Sequence, residues 1–253
     1  MKPFDISGRT AFVTGGSSGI GLALTRELLA CGAAKVIVIG RNEQKLEKVL
    51  DELGDRVATI QCDLSDPDAV DRLLTELPAQ WPELSLVINN AGTQRVTNLL
   101  SDDPMTLRAA LRSETAANFE AAMVVSTALL PFLAAQSTAA IVNITSGLAL
   151  APKASSPVYC ATKAGMRAFT RAFRYQSEDS FPNVRVVEAL PPIVDTEMTH
   201  GRGKGKISPS DCASEIVHGL IAGRLEIYVG KAKLLRAIMR LAPSLGHRIM
   251  RNS

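Results

Sequence analysis

The sequence predicts an α/β fold: a doubly wound, seven-stranded parallel sheet in a single domain. Three observations predict it. Short apolar runs alternate strictly with helical patterns along all 253 residues, the signature of right-handed βαβ units. The strand runs are continuously apolar, as strands covered on both faces must be. No linker rich in Pro, Gly or Ser divides the chain, and no internal repeat runs through it.

Each element has its own signal. The β-branched and apolar run at 10–15 reads as a buried strand. Residues 20–32 have helical periodicity and stop at Gly32, a good C-cap. A strand at 35–40 and a helix at 42–54 repeat that unit. A strand at 56–64 precedes a helix at 67–80 that Pro78 interrupts late. Residues 84–92 are a strand, and 104–135 a long helix entered through Asp103 and Pro104. A strand at 139–146, a helix at 157–180 and a strand at 184–190 follow. A helix at 208–223, entered through Ser208 and Pro209, leads to a last strand at 225–230. The result is seven strands and six main helices.

Composition narrows the function. The chain is 46% apolar and 21% charged, enough for a real core. A net charge of +3 gives no general case for nucleic-acid binding. The N-terminus lacks the apolar run of a secretory signal. The most apolar stretch, 121–135, is too short to span a bilayer and carries Pro131. Cys31, Cys62, Cys160 and Cys212 lie far apart, which fits a reduced, cytoplasmic setting. His200, His218 and His247 adjoin no acidic or cysteine cluster, so no metal site is expected.

In an open parallel sheet the ligand crevice lies at the carboxyl ends of the strands. There the first strand runs into TGGSSGIG, residues 14–21. Gly15 permits a tight turn. Gly19 and Gly21 let backbone N–H groups approach a pyrophosphate at a helix N-terminus, where the dipole favours negative charge. Between a strand and a helix, this pattern points to a dinucleotide. The second strand ends in Gly40-Arg41-Asn42, without the carboxylate that usually holds the ribose hydroxyls of NAD. Arg41 can instead accept a 2′-phosphate, which points to NADP; the alternative is a solvated loop arginine.

Ser156 is a candidate N-cap and Pro157 suits the first helical position. Tyr159 and Lys163 then share one helix face, one turn apart. Alone, that pair is common on exposed helices.

With these motifs in this order and spacing, the sequence resembles the short-chain dehydrogenase/reductase family in its short, single-domain, Rossmann-type form. The resemblance covers nearly the whole chain, residues 1–253. Residues 81–95 and 188–198 are similar to the DltE-like branch of that family. The resemblance implies a catalytic asparagine at Asn118, a serine at Ser146, and a Tyr–Lys pair at Tyr159 and Lys163. The glycine motif implies cofactor contacts from Gly15, Ser17, Ser18, Gly19, Ile20 and Gly21, beside Arg41. The acidic residue after the third strand implies an adenine contact at Asp63, with Leu64 beside it. The N-N-A-G motif at Asn89–Gly92 adds Asn90, Ala91 and Gly92. After the sixth strand the family's P-G-x-V-x-T reads Pro191 to Thr196, with Pro192 in place of glycine; Val194 and Thr196 keep the pattern.

The chemistry implied is hydride transfer between nicotinamide and a carbonyl or alcohol, with NADP preferred and NAD possible. In it Tyr159 exchanges a proton with the substrate oxygen. Lys163 lowers the tyrosine pKa and bonds the nicotinamide ribose. Ser146 holds the substrate carbonyl, and Asn118 anchors a water that links Lys163 to solvent. Cys160 reads as a packed thiol and Asn143 as a buried hydrogen-bonding residue. A redox-sensing regulator without turnover is the alternative function, disfavoured because Ser146, Tyr159 and Lys163 are all present. A sugar-nucleotide epimerase or dehydratase is disfavoured by the short remainder after residue 230.

Small residues at 160, 161, 164, 165 and 168 suit a homodimer or homotetramer interface, or packing within one subunit. Residues 200–210 suit a substrate lid, or a solvated loop, and the other pocket walls are expected from 93–100, with Arg95, and 147–156, with Lys153. Residues 231–253 carry six Lys or Arg and no acid, leaving 22 bases against 25 acids in the rest. The expected role is a C-terminal helix docked on its own subunit or across an oligomer; binding to an anionic membrane surface is the alternative. The substrate is a small carbonyl compound or alcohol.

Overall fold

The computed structural model describes residues 3–252. Seven strands form one parallel sheet: β1 (Thr10–Thr14), β2 (Lys35–Gly40), β3 (Val57–Gln61), β4 (Leu84–Asn89), β5 (Ala139–Ile144), β6 (Val184–Leu190) and β7 (Glu226–Tyr228). Their order is β3-β2-β1-β4-β5-β6-β7. The chain therefore reverses direction across the sheet between β1 and β4, which opens a crevice at their carboxyl ends.

Period-two alternation divides the core into two. Ala11, Val13, Val36, Val38, Ile88 and Val142 face one side. They pack against α1 (Gly19–Ala30), α2 (Glu43–Leu53) and α7 (Pro209–Ile221). Phe12, Ile37, Ile39, Val87 and Ile141 face the other. Covering them are α3 (Pro67–Gln80), α5 (Ala121–Ala134) and α6 (Pro157–Ser180). With both faces covered, a strand gains nothing from polar alternation, which is why the runs are wholly apolar.

Local chemistry sets the helix ends. Proline opens α3, α6, α7 and the helix α4 (Pro104–Thr115). There its missing N–H leaves no bond unmade. Asn42, Asp66, Asp103 and Ser208 each accept a backbone N–H of the helix they start. At the end of α1, Ala33 N–H bonds Leu28 O at 3.0 Å and Gly32 N–H bonds Leu29 O at 3.2 Å. Gly32 stands at φ +90°, the left-handed stop its position suggested.

Three expectations need correction. Pro78 does not interrupt α3, which runs on to Gln80. It sits in the last turn, where a helix end absorbs one lost bond. The stretch at 121–135 is too short to span a bilayer only when counted alone, since it belongs, as expected, to one long helical run. Joined to α4 through a π turn at Ala116–Glu120, it forms one 31-residue run, Pro104–Ala134, long and apolar enough by length and composition to cross a membrane. Its Val125, Leu129 and Leu133 are buried in the core on one face of the sheet. Third, Ser156 does not cap α6 with its side chain. Its hydroxyl is fully buried and finds no partner.

The C-terminal segment forms two helices, α8 (Ala232–Leu241) and α9 (Pro243–Met250). It docks on its own subunit, as preferred. Ala232 joins Leu190, Tyr228 and Leu150 in a third apolar cluster. Arg236 stacks on the Tyr228 ring at 4.4 Å, and Ala154 N–H bonds Arg251 O at 2.9 Å. Leu234 and Leu241 face outward, 64% and 84% exposed.

Candidate active site

The crevice between β1 and β4 begins with a backbone cradle. Thr14 Oγ1 accepts the N–H of Asn90 at 2.9 Å and that of Ala91 at 3.0 Å. The Asn90 amide returns a bond to Thr14 O at 3.0 Å. Two strands distant in sequence are thus locked at their ends. Glycine is obligatory in the turn. A Cβ on Gly21 would stand 2.1 Å from Gly15 O, and Gly15 and Gly19 have φ of +65° and +52°. Ser18 precedes α1 without capping it, and no acid occupies the first turn. The first N–H groups of α1 therefore stay free for an anion. Ser17 and Ile20 flank them, and the Thr196 methyl lies 3.1 Å from where a Gly19 Cβ would be. Val194 is buried just before it, its carbonyl accepting the Thr199 hydroxyl at 2.5 Å.

The end of β2 holds the other half of a dinucleotide site. A Cβ on Gly40 would lie 2.8 Å from Ser17 Oγ, so this strand end lies against the glycine turn. Arg41 is well exposed, with only a 3.9 Å approach to Asp63. Burial would raise the Asp63 carboxyl, but the N–H and hydroxyl of Ser65, with Arg41, hold it below its ordinary value. Leu64 is nearly buried beside it. The residues present fit a phosphorylated dinucleotide: helix N–H groups left uncapped by a side chain, a cradle closed to any Cβ, and an exposed guanidinium, only loosely paired with Asp63, at the ribose end.

Across the crevice, Asn118, Ser146, Tyr159 and Lys163 come together. Asn118 and Lys163 meet at Gly92. A Cβ there would stand 3.4 Å from Asn118 Oδ1 and 3.6 Å from Lys163 Nζ. Asn118 lies inside the π turn, 1% exposed. Its amide is bonded both ways to the backbone of Thr93, each bond 2.7 Å. Lys163 Nζ donates to Ile144 O, the last residue of β5, at 2.9 Å. Its ammonium lies 5.7 Å from the Tyr159 ring centre. Ser146 follows two residues after β5; its hydroxyl accepts the Leu148 N–H at 3.1 Å and is close enough to the Tyr159 phenol to lower its pKa. Cys160 is buried with its thiol against the Lys153 backbone, a packed thiol as expected. Asn143 is fully buried and bonds Asn89 and Thr170.

The electrostatics depart from the expected tuning. Burial pushes the Tyr159 phenol up to about 12, although the Ser146 hydroxyl pulls it down. Burial also brings the Lys163 ammonium down to about 8. In the free protein, then, Lys163 does not lower the tyrosine. Its Nζ bonds a carbonyl rather than the phenol, and low polarity disfavours both charged forms. The free site holds its proton on Tyr159.

Of three charged neighbours, only Glu114 escaped the sequence reading. Glu114, 1% exposed, lies one turn before Asn118. Burial raises its carboxyl, and its charge in turn raises Tyr159. Its place four residues before Asn118 was the available signal. Arg202 acts on Tyr159 in the opposite sense. Lys153 is coupled to Arg202. Lys153 stands in an expected pocket wall and Arg202 in the expected lid. The loop at 200–210 is pinned at its end, where Ile207 pairs with Val194 and Lys206 bonds Asp195 at 3.1 Å.

Comparison with known proteins agrees with this geometry. Residues 9–206 match the family described as short chain dehydrogenase. The chain is 35% identical over 241 residues to the uncharacterized oxidoreductase DltE of Bacillus subtilis, covering 93% of each chain. It is 33% identical over 196 residues to the NADP-dependent 3-hydroxy acid dehydrogenase YdfG of Shigella flexneri, covering 76% of each. A short chain dehydrogenase from Burkholderia cenocepacia, solved in complex with NADP, superposes with a TM-score of 0.85 at 28% identity, over 99% of this chain and 100% of that one. With the parallel sheet, the glycine cradle and the tyrosine–lysine helix in place, this chain belongs to the short chain dehydrogenase family and is an NAD(P)-dependent oxidoreductase.

Proposed function

We propose that the chain reduces a carbonyl compound with NADPH, using Tyr159 as the proton donor. One observation carries this reading: Asn118 and the Lys163 ammonium meet at Gly92 beside the glycine cradle, the same ammonium lies 5.7 Å from the Tyr159 ring centre, and the Ser146 hydroxyl is close enough to the phenol to lower its pKa. Gly15, Ser17, Ser18, Gly19, Ile20 and Gly21 would seat the pyrophosphate, and Arg41 the 2′-phosphate. Asp63 and Leu64 would border the adenine. Asn90, Ala91, Gly92, Val194 and Thr196 would line the nicotinamide half. The bound cofactor supplies hydride at the nicotinamide C4.

The remaining steps belong to the protein. Ser146 donates a hydrogen bond to the substrate oxygen and stabilises charge that develops there. Tyr159 gives that oxygen its proton, which the unusually high phenol pKa keeps in place beforehand. Lys163, held by Ile144 O, would offer its other N–H bonds to the nicotinamide ribose and its charge to the phenolate left behind. Asn118 fixes the Thr93 backbone and would anchor a water toward Lys163. NADP-dependence of the Shigella relative and NADP in the Burkholderia structure support the cofactor preference, with NAD as the weaker alternative.

The protein is further proposed to be a cytoplasmic homodimer or homotetramer. Its four cysteines are free. An apolar groove of about 420 Å³ between α4 and α6, with Leu99, Leu111, Phe119 and Ala161 in its walls, supports self-association. The functional test is NADPH consumption against aldehydes, ketones, quinones and sugars. Tyr159→Phe is expected to abolish reduction and leave NADPH affinity nearly unchanged. Turnover within a few-fold of wild type would refute the proton-transfer role.

A further inference from the structure

The C-terminal helices have a docked side and an undocked side. On α8, Ala232 and Leu235 are buried, and Leu235 reaches the Gly147 turn, one residue from Ser146. At about 100° per residue, Leu234, Ala237 and Leu241 share the opposite side. All three are exposed, and Lys233 and Arg240, also exposed, run along the border of that side. Helix α9 packs on α8 through Gly246, which is buried against Met239 and Ile238. It leaves Leu245 and Ile249, one turn apart, 47% and 52% exposed, with the exposed Arg248 between them.

The charge on this segment has one sign: residues 231–253 carry six Lys or Arg and no acid. Lys233 pairs with Glu215, and Arg236 lies on the Tyr228 ring. Arg240, Arg248 and Arg251 form no salt bridge among the described residues. Leu234, Leu241 and Ile249 each follow a cation directly in sequence. Single exposed leucines need no explanation, but four large apolar residues on two adjoining helices, set among cations alone, do. A second copy of the chain does not suit this face. A two-fold contact would set the face against itself, cation on cation. The rest of the chain holds 22 bases against 25 acids, too even a balance to draw six cations. A bilayer containing acidic phospholipid meets both demands in one plane. Its phosphates take the cations while the aliphatic tips enter the acyl boundary just beneath.

We propose that the outer face of α8 and α9 docks on an anionic lipid bilayer, with Leu234, Leu241, Leu245 and Ile249 at the acyl boundary and Arg240 and Arg248 at the phosphates. The chain then lies on the membrane surface and does not span it, since Val125, Leu129 and Leu133 of the long apolar run stay in the core. Because the inner side of α8 meets Gly147, Ser146 would stand roughly one helix diameter, 10–12 Å, from the lipid. The inference is independent of the reductase reading above.

The test is co-sedimentation of the full chain with vesicles of phosphatidylcholine and phosphatidylglycerol, beside vesicles of phosphatidylcholine alone, at low and at high salt. Binding to the mixed vesicles at low salt is expected. It should be weaker by about tenfold or more on phosphatidylcholine alone, and should fall as salt screens the charges. Leu234→Ser together with Leu241→Ser is expected to weaken binding by about tenfold or more, from the apolar area lost. Arg240→Gln together with Arg248→Gln is expected to weaken it roughly twenty- to thirtyfold, about fivefold for each cation. All four positions are exposed, so Tm is expected to hold in both double variants; if one fails to fold, the other decides. No binding to the mixed vesicles, equal binding to both kinds, or binding that a folded double variant leaves unchanged overturns the inference. So does a loss of oligomer mass in the leucine double variant, read by light scattering without lipid, which would assign the face to a second copy of the chain.

Discussion

Lys163 shows what burial does to one functional residue. Its ammonium is pushed down to about 8, against about 10.4 in an unfolded chain. Between those values the unfolded chain binds more protons, so stability rises with pH across the window. Below pH 8 the full cost of burying the charge is present. Lys163→Met is therefore expected to raise Tm at pH 7, by about 2–4 °C for each kcal/mol recovered, while eliminating turnover. The gain should shrink toward pH 10.5. Calorimetry at pH 7 and 10 checks this; a variant less stable at pH 7 would mean that the bond to Ile144 O outweighs burial. Arg41 supports a second prediction. Arg41→Ala is expected to lower kcat/KM for NADPH about ten- to a hundredfold and barely alter it for NADH. Equal losses with both cofactors would show that Arg41 does not read the 2′-phosphate. Tyr159 and Lys163 were legible because a helix places such a pair on one face. Ser146 and Asn118 were legible only through resemblance, since each stands alone in its local sequence. Lys153 and Arg202 stand in segments that read as a pocket wall and a lid, whereas Glu114 was signalled only by its place one turn before Asn118.

At the scale of elements, the helical run from Pro104 to Ala134 carries the least legible feature. Its apolar spacing predicted one long helix, and the chain folds so, but with one wide turn at Ala116–Glu120. No residue type marks a π turn, because it is a register shift rather than a stop. Asn118 sits inside it. Deleting Ala117 would restore the α-helical register and turn Asn118 about 100° away from Thr93. We expect helix content by circular dichroism to hold and kcat to fall at least tenfold, from the 10–10³ that misplaced groups cost. Turnover near wild type would show that the turn is incidental. Strand positions were legible because apolar runs between turn signals have few other uses in an α/β chain. Helix starts were legible wherever Pro follows Asp or Ser. The tail was half legible: its basic, amphipathic character was plain, but its division at Pro243 and the burial of Leu235 depend on the surface beneath it.

The whole molecule joins two tasks through one reversal. Because β1 lies between β2 and β4, the glycine cradle and the tyrosine helix meet at neighbouring strand ends. The tail closes the far side. Its Leu235 lies 3.5 Å from where a Gly147 Cβ would be, one residue from Ser146. Removing residues 231–253 would uncover Leu150, Leu190 and Tyr228 together. Tm is expected to fall by roughly 4–10 °C, from about 2–3 kcal/mol of lost apolar burial. KM should rise with it, since the loop bearing Lys153 loses one of its two holds. Unchanged Tm and KM would show the tail to be a passenger. The order of strands was predictable in kind from alternation alone, but not where the order reverses. That depends on which strands pair, and pairing is decided between segments far apart in the chain.

The 2.8 Å gap between Ser17 Oγ and the position of a Gly40 Cβ bears on how cofactor preference can change by descent. An aspartate at 40 is the natural route to holding ribose hydroxyls. Entering first, it would have to turn the Ser17 hydroxyl away, and that hydroxyl is itself expected at the phosphates. The two positions are therefore epistatic. A lineage that shortens Ser17 to glycine or alanine before acquiring the acid passes through working intermediates; the reverse order passes through one that binds both cofactors poorly. Gly40→Asp should thus weaken NADH use in the presence of Ser17 and strengthen it after Ser17→Gly, a reversal of sign that steady-state kinetics on the four combinations would reveal.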